Sequence, residues 1–256
     1  MRSAHAPGRF LIALSSAAGL LAIALCCAVT SAAPNEGEYA AARAALLREI
    51  APDVQDTVKH LNKRAPDARI MRVLGRVPRH EFVAENLRPY AYENVPLPIG
   101  HGQTISQPYI VAIMTDLLDL KPGCRALEVG TGSGYQAAVL AEMCAKVHTI
   151  EIIEPLGNEA AARLKRLGYE RVEVRIGDGY YGWAAHAPFD AIVVTAVATH
   201  VPPPLIAQLK PGGRMILPVG TRFTVQQLVL VSKGEDGRVT ARQILPVAFV
   251  PLTGGH

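Results

Sequence analysis

Over residues 125–252, short apolar runs alternate with amphipathic stretches. RALEVG (125–130), KVHTIEI (146–152), VEVRIGD (172–178), FDAIVVTAV (189–197) and RMILPVG (214–220) have the length and residue types of strands. FDAIVVTAV is nearly continuous in apolar residues, as a strand covered on both faces must be. Between these runs, YQAAVLAEM (135–143), EPLGNEAAARLKRLG (154–168) and PPPLIAQL (202–209) read as helices, and Gly168 suits the end of the second. Strand and helix in alternation predict an α/β fold, a doubly wound and mostly parallel sheet. VQQLVLVS (225–232) and ILPVAFVPL (244–252) lie close together in sequence, so they predict an antiparallel C-terminal edge.

The first hundred residues have a different pattern. YAAARAALLREI (39–50), PDVQDTVKHLN (52–62) and DARIMRVLGRV (67–77) predict three helices, with Pro52 opening the second and the third ending near Pro78. This extension, residues 33–100, has no catalytic signature of its own and reads as a lid or a support for an α/β body over 101–256. Ahead of it, Arg2 and Arg9 precede a charge-free run from Phe10 to Val29, and the small residues TSAA follow. That arrangement predicts an export signal over residues 1–32, cleaved after Ala32 and delivering the body to a compartment such as the periplasm. The alternative is an uncleaved membrane anchor, since the run is long enough to span a bilayer. Membrane contact is expected only in that second case.

Composition narrows the function classes. Hydrophobic residues make up 50% and charged residues 19%, so the body is globular. The net charge of +4 comes without a dense Lys/Arg stripe, which argues against nucleic-acid binding. Cys26 and Cys27 lie in the export segment. Cys124 and Cys144 are two isolated residues rather than a disulfide framework, and each is expected in or beside a core element. His60, His80, His101, His148, His186 and His200 show no metal-ligand spacing, so no metal is expected.

The strongest chemical signal is LEVGTGSGYQAA (127–138), a strand that runs into a glycine-rich turn and then a helix. Glycine allows the turn and the close approach of a ligand. Dinucleotide binding asks for G-x-G-x-x-G, but Tyr135 stands at the third glycine position. The pattern here is E-x-G-x-G-x-G, from Glu128 through Gly130 and Gly132 to Gly134. It resembles the first motif of S-adenosyl-L-methionine-dependent methyltransferases, whose cofactor brings positive charge rather than a pyrophosphate. Glu151 ends the next strand, where its carboxylate could accept both ribose hydroxyls. Asp178 and Gly179 end the third, where the aspartate could accept from an adenine amino group; a plain turn aspartate is the other reading.

A second cluster precedes the helix at Pro108. In GHGQTISQPY (100–109), Gln107 stands before a proline and avoids helical dihedrals, so the helix should start at Pro108 with Gln107 as its cap. Ser106 then lies one residue outside, free to meet a ligand.

Together VPRHEFV (77–83), LPIGHGQTISQPY (97–109), LEVGTGSGYQAAVLA (127–141), GDGYYGW (177–183), PFDAIVVTAV (188–197), LKPGGRMILPVG (209–220) and FVPL (249–252) resemble the protein-L-isoaspartate O-methyltransferases. The resemblance implies a Rossmann-like methyltransferase domain that esterifies the α-carboxyl of L-isoaspartyl residues, with D-aspartyl as a further substrate. The ester then loses methanol to a succinimide that can hydrolyse to aspartate. Ser106 is implied as the active-site residue, with Thr104 and Ile105 beside it. Val247, Phe249, Val250, Pro251 and Leu252 would hold the substrate peptide, and Ala248 stands where some relatives carry arginine. Partners are isoaspartyl-containing proteins and peptides. Two other readings are a methyltransferase for a different carboxylate, and an exported, non-catalytic module that binds altered peptides. The second arises because the cofactor is made in the cytosol and the chain is addressed out of it.

Overall fold

The computed structural model describes residues 35–61, 63, 65–221 and 223–255; the expected export segment and Cys26 and Cys27 lie outside them. Five parallel strands form the middle and one flank of a seven-stranded sheet: β3 (Arg125–Val129), β4 (Lys146–Glu151), β5 (Val172–Ile176), β6 (Phe189–Val194) and β7 (Leu209–Val219). β8 (Gln226–Lys233) and β9 (Val239–Val247) complete the other flank antiparallel, giving the order β5-β4-β3-β6-β7-β8-β9. A short antiparallel pair, β1 (Leu97–Gly100) and β2 (Gln103–Ile105), stands apart from the sheet. No periodicity announced that pair, because positive φ at Gly100, His101 and Gly102 makes its turn.

Burial follows the pleat. On β6, Ala191 and Val193 face one side while Ile192 and Val194 face the other, and all four are buried. α4 (Tyr135–Ala141) joins β3 to β4, α5 (Glu154–Arg166) joins β4 to β5, and α6 (Pro203–Ala207) joins β6 to β7. α1 (Glu36–His60), α2 (Ala68–Arg76) and α3 (Pro108–Leu117) pack on one another within the larger core.

The N-terminal helices differ from expectation. Residues 36–60 form one helix with Pro52 inside it, not two. A proline inside a helix costs about 3 kcal/mol through a lost main-chain hydrogen bond and a clash of its ring with the preceding turn. Tyr39, Leu46, Ile50, Val54 and Val58 form a buried stripe on both sides of the proline, so breaking the helix would expose half of it. The segment that follows is tied to α3 by the fully buried Asp116 carboxylate. It accepts from Lys63 Nζ at 2.7 Å and from the Asp67 N–H at 2.6 Å.

Cys124 and Cys144 are joined in a disulfide, a correction to their reading as isolated residues. Adjacent parallel strands make this pairing. β3 starts at Arg125 and β4 at Lys146, side by side, and the Ala145 N–H donates to the Cys124 carbonyl at 2.9 Å. The two Cα atoms are thereby 4.7 Å apart across a sequence separation of 20. By loop-closure entropy such a link stabilises the fold by about 3 kcal/mol.

Candidate active site

β3 pairs with β4 on one side and β6 on the other, so the chain crosses over in opposite directions from this point. In a doubly wound sheet the crevice for a ligand opens there, beyond the C-terminal strand ends. Gly130 occupies that end with φ of 92°, and a Cβ on it would strike Thr195 Oγ1. The Thr195 hydroxyl donates to the Gly130 carbonyl at 2.6 Å, so the threonine fixes the loop from the residue that follows β6. The Gly130 N–H donates to the Ile150 carbonyl at 2.9 Å and the Gly132 N–H to Glu151 Oε2 at 2.8 Å. Glu151 Oε1 accepts from the Ile153 N–H at 3.0 Å. The Glu151 carboxylate is thus held rigidly at the cavity wall, with lone pairs remaining for hydroxyl donors.

The cavity is bounded by Glu128, Gly130, Gly132, Glu151 and Gly179 on the glycine-loop side and by Thr104, Ile105 and Ser106 opposite. Val250, Pro251 and Leu252 of the C-terminal segment close it, and its space including the open mouth is about 760 Å³. That is ample for a nucleoside-sized ligand. A groove of about 920 Å³ adjoins it, bordered by Pro96, Gln107, Ile110 and residues 246–250, which include Val247 and Phe249. Thr104, Ser106, Thr195 and Val250 border both spaces. No Lys, Arg or His among the described residues borders either one.

Ser106 stands at this junction, and it does not cap α3. Pro108 opens the helix as expected, but Gln107 makes no side-chain cap bond. Asn94 serves instead: its Oδ1 accepts from the Tyr109 N–H at 3.1 Å, and its carbonyl accepts from Gln107 Nε2 at 2.9 Å.

Two expected residues stand next to the cavity lining rather than on it. Gly134 does not border the cavity; with φ of 89° it opens α4. Asp178 does not border it either. Its carboxylate accepts from the Tyr180 N–H at 2.9 Å and from the Gly255 N–H at 3.1 Å, the latter bringing the C-terminal tail over it. Conversely, Thr195 and Gln226 are site residues that sequence reading missed. Gln226 Oε1 accepts from the Phe249 N–H at 2.6 Å, and its Nε2 donates to the Phe249 carbonyl at 3.1 Å. One side chain thereby holds the peptide-groove wall as a strand partner would. The signal for Thr195 was a lone hydroxyl inside FDAIVVTAV; Gln226 left none, because its partner is 23 residues away.

The donor set fits S-adenosylmethionine. Tyr135 is buried beneath Arg79, whose guanidinium lies 4.9 Å from the ring centre, and it lines the cavity where a dinucleotide motif has its third glycine. Glu128 is fully buried, with Oε2 accepting from Thr149 Oγ1 at 2.5 Å and Oε1 without a hydrogen-bond partner among the described residues. An unpartnered buried carboxyl oxygen on the cavity wall suits a cationic ligand. Burial pushes the Glu128 pKa up to about 8 from 4.5, against the lowering effect of Thr149. In the folded apoprotein Glu128 therefore keeps a proton that the unfolded chain releases, and its contribution to stability is lost as pH rises from 4.5 to 8. His80 and His148, whose pKa values burial lowers, act in the opposite sense at lower pH, so a variant must be compared with the parent. Thermal melts without cofactor should show Glu128→Gln gaining several degrees on the parent between about pH 5 and pH 8.5. Parallel curves would mean that Glu128 ionises normally.

The chain has close relatives. Residues 53–256 match the family model described as protein-L-isoaspartate(D-aspartate) O-methyltransferase (PCMT). A Syntrophobacter fumaroxidans protein named protein-L-isoaspartate O-methyltransferase 2 is 61% identical over 254 residues, covering 99% of this chain and 100% of that one. A Cupriavidus necator protein named protein-L-isoaspartate O-methyltransferase 1 is 61% identical over 236 residues, covering 92% and 90%. Among solved structures, a protein-L-isoaspartate O-methyltransferase superposes with a TM-score of 0.72 at 29% identity, over 83% of this chain and 66% of that one. A Plasmodium falciparum beta-aspartate methyltransferase (PCMT), solved with S-adenosyl-L-homocysteine, gives 0.69 at 25% identity, over 84% and 98%. With its glycine loop, its acidic cofactor wall and its uncharged groove, the chain belongs to the protein-L-isoaspartate(D-aspartate) O-methyltransferase family.

Proposed function

We propose that Ser106 and Thr104 orient the isoaspartyl carboxylate where the two cavities meet, and that the enzyme works in an exported compartment. The reaction is repair: methylation of isoaspartyl residues in aged proteins at the expense of S-adenosylmethionine. S-adenosylmethionine supplies a methyl group made electrophilic by the sulfonium that carries it. Glu128, Gly130, Gly132, Glu151 and Gly179 hold it on the acidic side of the site, and Glu151 takes the ribose hydroxyls. Ile105, Val247, Phe249, Val250, Pro251 and Leu252 hold the peptide.

The observation that carries this reading is the absence of cationic side chains around either space among the described residues. A carboxylate is ionised at neutral pH, with a reference pKa of about 4, and needs no base. A lysine or arginine beside it would bind it and blunt its attack. Neutral hydroxyls from Ser106 and Thr104 fix its direction and leave its charge intact, while Glu128 and Glu151 repel it from the cofactor wall. The methyl centre then offers the favourable electrostatic contact, so attraction and reaction coincide.

A peptide with one isoaspartyl residue should form a base-labile methyl ester, and its aspartyl twin should not. Ser106→Ala should lower turnover at least tenfold with cofactor affinity and melting temperature little changed. Equal labelling of both peptides would refute the repair reading; full activity in Ser106→Ala would refute the role of the serine.

Gln226→Ala should raise KM for the peptide by roughly tenfold or more, with a smaller loss of cofactor affinity through the shared wall, since two hydrogen bonds at about 1 kcal/mol each are lost. An unchanged KM would show that the 247–252 wall stands without that clamp.

Export rests on the charge-free run behind Arg2 and Arg9, on its small-residue exit, and on the Cys124–Cys144 disulfide. Disulfides persist in oxidising compartments and are rare in reducing cytosol. Fractionation should place the protein outside the cytosol, and the mature N-terminus should begin near Ala33. A soluble cytosolic product starting at Met1 would overturn export; a membrane-bound product that retains the run would identify an anchor.

A further inference from the structure

Three side chains that methyl transfer does not use converge near the N-terminal ends of the strands. His148 on β4 lies in register with Glu173 on β5, and His186 ends the short turn Ala184–His186. Glu173 Oε2 is 3.8 Å from His148 Nε2, and Glu173 Oε1 is 3.6 Å from His186 Nε2. All three potential ligand atoms lie within 4.8 Å of one another. The imidazoles stack with centres 4.1 Å apart and planes tilted by 29°, and Trp183 and Phe189 stand edge-on against His148.

We propose that His148, Glu173 and His186 form a binding site for one divalent transition-metal ion, best suited to zinc, that fastens the 184–186 turn to the sheet. Two imidazoles and one carboxylate are a donor set that zinc accepts, with bonds of about 2.0–2.2 Å and solvent in the fourth position. Tetrahedral bonds of that length put donors about 3.4 Å apart. The separations from Glu173 are a few tenths of an ångström longer than this. Rotation of the half-exposed Glu173 and His186 side chains toward the anchored His148 closes the remaining distance. Ligating imidazoles must be neutral.

Two cations oppose the ion. Lys146 Nζ is 3.5 Å from Glu173 Oε2, and Arg125 Nη1 donates to the His186 carbonyl at 3.1 Å. Lys146 is 43% exposed and can turn to solvent as a metal enters. His148 Nδ1 is buried with no hydrogen-bond partner among the described residues, so the supporting bond that strengthens most zinc-bound histidines is missing there. Both features weaken the site, the missing second bond by about 10–100-fold. The expectation of no metal came from linear spacing; positions 148, 173 and 186 fit no motif because sheet register pairs the first two and a separate turn brings in the third.

Trp183 is the sole tryptophan of the chain, and its ring lies 4.8 Å from that of His186. Untagged, metal-stripped protein should bind one equivalent of Zn²⁺ by calorimetry, and Cu²⁺ should quench Trp183 fluorescence at the same stoichiometry. His186→Ala and Glu173→Gln should each weaken binding at least tenfold and abolish the rise in melting temperature that Zn²⁺ gives the parent. Methyl transfer should stay within twofold in both variants, and His200→Ala should bind metal like the parent. No saturable binding by the parent, or undiminished binding by both variants, would overturn the site and leave an ordinary His–Glu contact.

Discussion

The site depends on the contact between Gly130 and Thr195. β3 must end where the residue after its neighbour β6 supplies a hydroxyl, and the backbone must turn there with φ of 92° in space that no side chain can share. Once that turn is made, the loop N–H groups point at β4. The Ile150 carbonyl and the Glu151 carboxylate take them up. The same bonds that hold the loop therefore also aim the acidic wall. Substituting Gly130 would move not only a turn but also the Glu151 carboxylate bonded to the loop.

Charge is divided along the same line. Glu128 and Glu151 lie on one side of the cavity, and the groove beyond Ser106 has only hydroxyls, amides and apolar surface. An anionic substrate approaching through the groove meets no cation until it reaches the methyl donor. A protonated Glu128 keeps the empty cavity from holding a bare buried charge, which would be expensive in so dry a place. Positive charge from the cofactor reverses that balance, so binding and deprotonation support one another.

Much of this was legible in the chain. FDAIVVTAV and its neighbours gave away the buried parallel strands, because a strand covered on both faces cannot hide its apolar content. The helix start at Pro108 followed from proline stereochemistry alone. What stayed hidden depended on three-dimensional register. Pro52 signalled a break that the continuous stripe from Tyr39 to Val58 overrides. Cys124 and Cys144 meet only because β3 and β4 start side by side. Asp178 had the sequence context of a ligand-facing turn, and its carboxylate also ties down the backbone by accepting from the Tyr180 and Gly255 N–H groups, contacts that sequence does not show. Gln226 could not be recognised because its role is to imitate a strand backbone for a distant residue.

The C-terminal segment joins these parts. The Val197 N–H donates to the Val250 carbonyl at 2.8 Å and the Leu252 N–H to the Val197 carbonyl at 2.9 Å, two residues beyond Thr195 on the same chain segment. Gln226 fixes Phe249 just before them. Phe249 and Val250 face the peptide groove, while Val250, Pro251 and Leu252 face the cofactor cavity. One short extended segment is therefore a wall of both compartments, anchored to the chain segment that carries Thr195. A shift of that segment on peptide binding must also reshape the cofactor cavity, because its two sides share a backbone. The enzyme needs no separate domain to bring its two substrates into register: the wall they share is hydrogen-bonded to the residues that follow the threonine fixing the glycine loop.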